Sequence, residues 1–523
     1  MGQCQFPKLD QESQIEQSTS FSQDITSLKI YKTRIYSINR LSKAINQQSI
    51  EIDICQVSRE EIKLIGNTLN NCKNLNCLDI KLRQMDEELV KKITEQLKQI
   101  ENITSLSLFF DGWNQERNNQ NIAKHIANLL NAQKKITKLS LTLGCRFSFD
   151  SDALKYIANS LKMLKNLISL SLQLELEYDQ ISFKAAKSLG DSLGQLKELT
   201  DLNLEFEINS RIIHEGDKYI VNKINNCSKI TRLRVKLNSN CQGLEEIANC
   251  LENLKNLKEL TLVLQGYIDS EQRIKSFSNA LANNQKITKL SLECLGIQDQ
   301  CIQLIACAIQ SNIQITHLNL ELGFRNTCPY DYFQATHFQL NIQKIGTLGS
   351  MYLSQSLEKL QDLTNLTLIM GHSNIGQNGV KNISDCLQKC LKLTNLNLDL
   401  SNCKINEEGL QFILKSLEES KNIITLDLCL NWNHFGQNQA QNISDCLQNC
   451  LKLSNLILHL RGATDQIGIT LILQALVKSN KVITLYLDTS YIEWIQLQRL
   501  FYQSIHKLKR LVIYGHFLSS YPF

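Results

Sequence analysis

The chain runs to 523 residues, 43% of them hydrophobic and 20% charged, with a net charge of +5. So small a charge over so long a chain argues against a nucleic-acid binder, in which basic residues gather into a stripe. No apolar run approaches the roughly 20 residues that span a bilayer, and the N-terminus lacks the charged-then-apolar pattern of a signal peptide, so a cytoplasmic protein without a transmembrane segment is expected.

Residues 1–24 are rich in Gln and Ser and are expected to form a disordered tail. The opening Met1-Gly2-Gln3-Cys4 resembles a myristoylation site beside a palmitoylatable cysteine. Firm anchoring would need lipid on both Gly2 and Cys4, and one chain alone would give only weak membrane association. Phe6 stands where that motif has Ser or Thr, which counts against the modification. Residues 25–47 are expected to form an N-terminal capping segment.

From residue 48 to residue 515 one phrase, apolar-x-x-apolar-x-apolar-x-apolar, returns sixteen times. Its second apolar residue is Ile50, Leu78, Leu106, Leu139, Leu170, Leu202, Leu233, Leu260, Leu290, Leu318, Leu366, Leu396, Leu426, Leu456, Leu485 and Leu511. These anchors are 26 to 33 residues apart, save one interval of 48 between Leu318 and Leu366. Such a period signals a solenoid, in which each repeat touches only its neighbours, so one continuous core replaces the three or four domains that length alone would suggest.

The closing alternation of each phrase has period two, which suits a short strand with one buried face. Between phrases the period is helical. From Ser151 the apolar residues fall at Leu154, Ile157, Leu161 and Leu164, with Asp150 or Ser151 as N-cap. Strand then helix, repeated, requires a parallel sheet lined by an outer layer of helices. The expected fold is an α/β horseshoe with the sheet on its concave side.

With the L-x-x-L-x-L phrase, this period, and segments such as Asn402-Cys403-Lys404-Ile405-Asn406-Glu407-Glu408-Gly409-Leu410, the chain resembles the leucine-rich repeat family. The long helical repeats are similar to its ribonuclease-inhibitor-like subclass. Where the family's phrase has Asn this chain has Ser401, with Asn402 one residue later, and an added apolar residue such as Leu400 lengthens the strand. The resemblance implies about 16 repeats presenting a concave binding face.

Outward strand positions are therefore the candidate contacts. One strand is basic, with Arg232, Arg234 and Lys236 between acidic neighbours Asp201, Glu205 and Glu259. A cross-strand charge ladder and a ligand contact both fit that pattern. Glu293, Glu321, Asp399, Asp427 and Asp488 would make the later face acidic and steer a basic partner to it, or remain solvated charge. The long interval holds an insertion at about 323–349, rich in aromatics including Tyr330, Tyr332 and Phe333, which either binds or folds onto the horseshoe edge. Near the C-terminus Tyr486 and Tyr514 point outward, while Trp432, Phe435 and Trp494 are read as packing, and residues 516–523 form a tail.

The 18 cysteines are scattered through the repeats, and pairs such as Cys386 with Cys390 and Cys446 with Cys450 read as core thiols rather than metal ligands. No phosphate loop, zinc-protease helix or nucleophile elbow occurs, and no cofactor is expected. These features point to a non-enzymatic, monomeric scaffold gripping a protein partner through its concave face and rim loops. Two alternatives stand beside it. One is a GTPase activator that would use Arg325, and the other is a ubiquitin-ligase substrate receptor, for which few residues precede the repeats.

Overall fold

The computed structural model describes residues 33–35, 47–55, 57–112, 120–143, 150–176, 182–208, 214–237, 243–264, 271–294, 296–324, 345–433, 437–463, 466–479 and 482–488. The strands are β1 (Thr33–Ile35), β2 (Ser49–Ile54), β3 (Cys77–Met85), β4 (Ser105–Gly112) and β5 (Lys138–Leu143). Next come β6 (Ser169–Leu176), β7 (Asp201–Ile208), β8 (Arg232–Leu237), β9 (Glu259–Leu264) and β10 (Lys289–Cys294). β11 (His317–Glu321), β12 (Asn365–Ile369), β13 (Asn395–Asp399), β14 (Thr425–Cys429), β15 (Asn455–His459) and β16 (Thr484–Asp488) complete the set. All sixteen lie in one open parallel sheet, in chain order. One helix of 10–14 residues joins each consecutive pair from β2 to β16, fourteen among the described residues.

The register obeys the phrase. Ile50 pairs with Leu78, Leu78 with Leu106, Leu106 with Leu139, and the file continues unbroken through Leu456 to Leu485. Fifteen of the sixteen anchors thus stack in single file, each no more than 2% exposed. A slip of one residue would turn every leucine outward, so burial of one face fixes the register. The sixteenth anchor, Leu511, lies outside the described residues. At the other end β1 pairs Arg34 with Glu51, extending the sheet by one strand within the segment expected to act as a cap.

Leu154, Ile157, Leu161 and Leu164 face the core as their spacing requires. The N-cap is Asp150, whose Oδ1 accepts from the amides of Asp152 (3.0 Å) and Ala153 (2.8 Å). Ser58, Asp86, Ser182 and Asn406 cap their helices in the same way, each contact contributing about 1 kcal/mol.

Three rows of side-chain hydrogen bonds tie repeat to repeat. Just ahead of the strands, the hydroxyls of Thr104, Thr137, Thr200, Thr231, Thr288, Thr316, Thr364, Thr394 and Ser454 each donate to the carbonyl one repeat back, at 3.1–3.4 Å. Just after the helices, one slot holds a donor aimed at the free carbonyls ending the preceding helix. Gln133 and Asn312 fill it with amides, to Leu97 (2.9 Å) and Leu281 (3.0 Å). Cys227 (3.3 Å), Cys390 (3.9 Å) and Cys450 (3.8 Å) fill it with thiols.

The third row is the asparagine ladder, displaced from where the family's phrase would put it. Asn433 Nδ2 donates to the Leu400 carbonyl (2.8 Å), and its Oδ1 accepts from the amides of Cys403 (3.2 Å) and Ile405 (3.1 Å). One repeat earlier Cys403 takes the position, its thiol donating to Met370 O at 3.2 Å. The added alternating pair that ends in Leu400 moves the ladder two residues downstream of Ser401. Asn402 instead adopts a left-handed φ of 48°, and its amide meets His372 Nδ1 at 3.0 Å.

The long interval does not interrupt the stack. β11 and β12 pair over five residues, and Asp299 Oδ1 accepts from the Gly346 amide at 2.8 Å, so the chain has rejoined the array by residue 345. The insertion expected at about 323–349 therefore narrows to the stretch between Phe324 and Ile345, most of it outside the described residues.

Candidate binding surface

The solvent side of the sheet carries three columns of side chains alternating with the buried leucines. Across β7 and β8 the charges interlock. Arg232 forms an ion pair with Asp201, its Nε at 2.6 Å from Oδ1, and Arg234 Nε donates to Glu205 Oε1 at 2.6 Å. Glu259 on the next strand is held by Lys289 at 3.1 Å. Lys236 lies opposite Glu205 in the register. Of the two readings of this patch, the geometry contains the charge ladder. Its arginines remain about half exposed, at 53% for Arg232 and 46% for Arg234.

A second ladder, missed in the sequence, runs across β2, β3 and β4. Lys81 Nζ contacts Glu51 at 2.8 Å, Arg83 pairs with Asp53, and the Arg83 guanidinium sits 5.7 Å from the centre of the Phe109 ring. The Glu51 contact leads the causes that hold the Lys81 ammonium above its ordinary value. Reading down the columns at a 30-residue step exposes this signal; reading along the chain hides it.

On the later strands Glu293 and Glu321 face each other in register, and Asn319 Nδ2 donates to Glu321 at 3.2 Å. The expectation of open positions fails at Asp399 and Asp488, both of which are buried. Register places Ile369, Asp399, Cys429, His459 and Asp488 side by side in one row across β12–β16. Asp399 turns back to accept from the Ser401 amide at 2.9 Å. Asp488 is gripped by His459 Nδ1 (3.0 Å) and Arg461 Nε (2.7 Å), while His459 Nε2 approaches Asp427 at 3.7 Å. Burial pushes the Asp488 carboxyl up, but the His459 and Arg461 bonds outweigh it and hold the group below the usual carboxylate range. Burial, then the Asp399 charge, push the Cys429 thiol well up, so it stays protonated. Tyr486 is half-buried, its ring 5.4 Å from that of His459.

After these strands His372, Asn402, Trp432 and Gly462, spaced 30 residues apart, all have φ between 48° and 62°. Trp432 in this conformation is unusual for a bulky residue. Its ring lies on Gly462, where a Cβ would sit 2.8 Å from the indole. Tyr330, Tyr332, Phe333, Arg325, Phe435, Trp494, Tyr514, Gly2 and Cys4 lie outside the described residues.

Buried thiols behave as core. Cys227 is pushed up to about 11 and Cys250 to about 12, chiefly by burial. None of the fourteen described cysteines is joined in a disulfide, and among them only Cys55 and Cys307 are exposed. Among the described residues no group of three or more His, Cys, Asp or Glu side chains is placed to hold a metal ion, and no helix is long and apolar enough to cross a membrane.

The continuous parallel sheet, the helix in every repeat and the leucine file make the chain a leucine-rich repeat solenoid. No protein-family model matches it, nor does any curated protein. Among solved structures it is similar to a chain of the TLR13-ssRNA13 complex, with 16% identity over 92% of this chain and 68% of that one and a TM-score of 0.35.

Proposed function

We propose that this protein is a non-enzymatic scaffold that binds a protein partner on the solvent face of its sheet, and that it belongs to the ribonuclease-inhibitor-like subclass. The observation carrying the first reading is the half-exposed basic strand β8, whose arginines are held in fixed positions by Asp201 and Glu205. Ordered charges of this kind lose little freedom on binding, and they select partners by complementarity. The helix of 10–14 residues in every repeat supports the subclass. Fourteen described cysteines outside any disulfide support a reducing, cytoplasmic setting.

Affinity capture from cell extract, with Arg232→Glu/Arg234→Glu compared against Lys63→Glu/Lys415→Glu on the outer helices, tests the binding face. Proteins lost with the first variant and retained with the second support the reading. An identical set with both variants sinks it.

A further inference from the structure

Because all strands are parallel and in register, every turn from a helix into the next strand lies on the same flank of the solenoid. The thirteen such turns that lead into β3–β15 hold fifteen lysines and four acidic residues. That flank therefore carries a net +11 in a chain whose total is +5, leaving −6 for everything else. With strands about 4.8 Å apart, the rim presents roughly one positive charge per 5 Å of its length. Several lysines are held without being neutralised: Lys135, Lys286 and Lys452 reach the side-chain carbonyls of Asn102 (2.9 Å), Asn256 (2.8 Å) and Asn422 (2.6 Å) in the preceding turn. Others do meet carboxylates, such as Lys229 with Glu198 at 2.6 Å.

The same flank gathers exposed apolar side chains. Of the twelve large hydrophobic residues exposed on the described surface, seven sit in these turns or in the one before β16, with Met163, Ile313, Leu391 and Leu451 at 61–69%. Ile424 and Ile483 stand where neighbouring repeats use the ladder threonine, giving up a hydroxyl bond while exposing an alkyl group. No aromatic residue and no arginine occurs in the thirteen turns, so the rim lacks the stacking platform of a single-strand nucleic-acid groove.

We propose that this rim seats the protein on a bilayer containing anionic lipid. The lysine ammoniums meet the charged headgroups, and the leucine, isoleucine and methionine tips enter the boundary between headgroups and acyl chains. The surface is distinct from the solvent face of the sheet, so membrane seating leaves that face open to a protein partner.

Flotation of the full, unacylated chain with phosphatidylcholine vesicles, with and without about one-third phosphatidylserine, tests the inference. Binding to the anionic vesicles alone is expected, weakening as salt rises. Reversal of Lys134, Lys135, Lys162 and Lys165 to Glu should cut partitioning at least about tenfold, whereas reversal of Lys63, Lys124, Lys275 and Lys415 on the outer helices should change it less than about threefold. Leu391→Ser/Leu451→Ser should weaken binding several-fold at every salt concentration. Circular dichroism melts checked against wild type keep a folding defect from counting as a result. Equal loss in both lysine sets, no binding to anionic vesicles, or tighter binding to an unstructured oligonucleotide than to the vesicles would each overturn the proposal.

Discussion

Single residues here stabilise chiefly by satisfying a neighbouring repeat. Asn433 is buried and serves three carbonyls and two amides, so Asn433→Ala would strand several polar groups at once. A loss of about 3 kcal/mol is expected, read from urea midpoints, with Asn433→Cys recovering part of it because Cys403 already fills that position one repeat earlier. Asp488 gives a pH signature. Its carboxyl lies below the usual range when folded, so its contribution is in place above the ordinary carboxylate value of about 3.9 and disappears as the pH falls through the lower folded value. Asp488→Asn should cost about 3 kcal/mol at neutral pH, as expected when one partner of a buried ion pair is removed. It should also flatten the decline in stability as the pH falls below about 4. A decline as steep as wild type would show that other carboxylates govern the acid limb.

At the scale of the element, the threonine row links strand starts in the same way nine times, so its worth can be measured by repairing a gap. Ile424 interrupts the row between Thr394 and Ser454. Ile424→Thr restores a donor to the Thr394 carbonyl and removes an exposed alkyl group, and should raise stability by about 0.5 kcal/mol. A decrease would mean that the isoleucine packs more than it exposes. Thiols in the helix-end slot are weak donors, and burial pushes those of Cys227 and Cys390 up to about 11. Among the described cysteines, alkylation of the native protein should therefore modify Cys55 and Cys307 first, with Cys227, Cys390 and Cys450 reacting only on unfolding, as mass spectrometry of timed samples would record.

Across the whole molecule, stability is a sum over neighbouring repeats. The described residues between β11 and its helix are Leu322, Gly323, Phe324, Ile345 and Gly346, against seven residues, 400–406, in the repeat of β13. Replacing residues 325–344 with Gly-Gly restores that length. The melting temperature should then stay within about 3 °C of wild type, since β11 and β12 already pair directly. A larger fall would assign the insertion a place in the core.

The fold was legible in the chain before any contact was known, because each leucine's burial depends on a local rule: period two within a strand, helical spacing between strands, and one phrase per turn of the solenoid. Fifteen of the anchors could be placed on those rules alone. Where the polar groups meet is settled by stacking, since partners lie some 30 residues apart and become adjacent only when the repeats pack. Asp399 and Asp488 occupy outward strand positions in the sequence, yet both are buried in the stack, Asp399 accepting from the Ser401 amide and Asp488 held by His459 and Arg461 of the preceding repeat. The net charge behaves the same way. A value of +5 is dilute along the chain, but parallel stacking brings the helix-to-strand turns to one flank and concentrates +11 there.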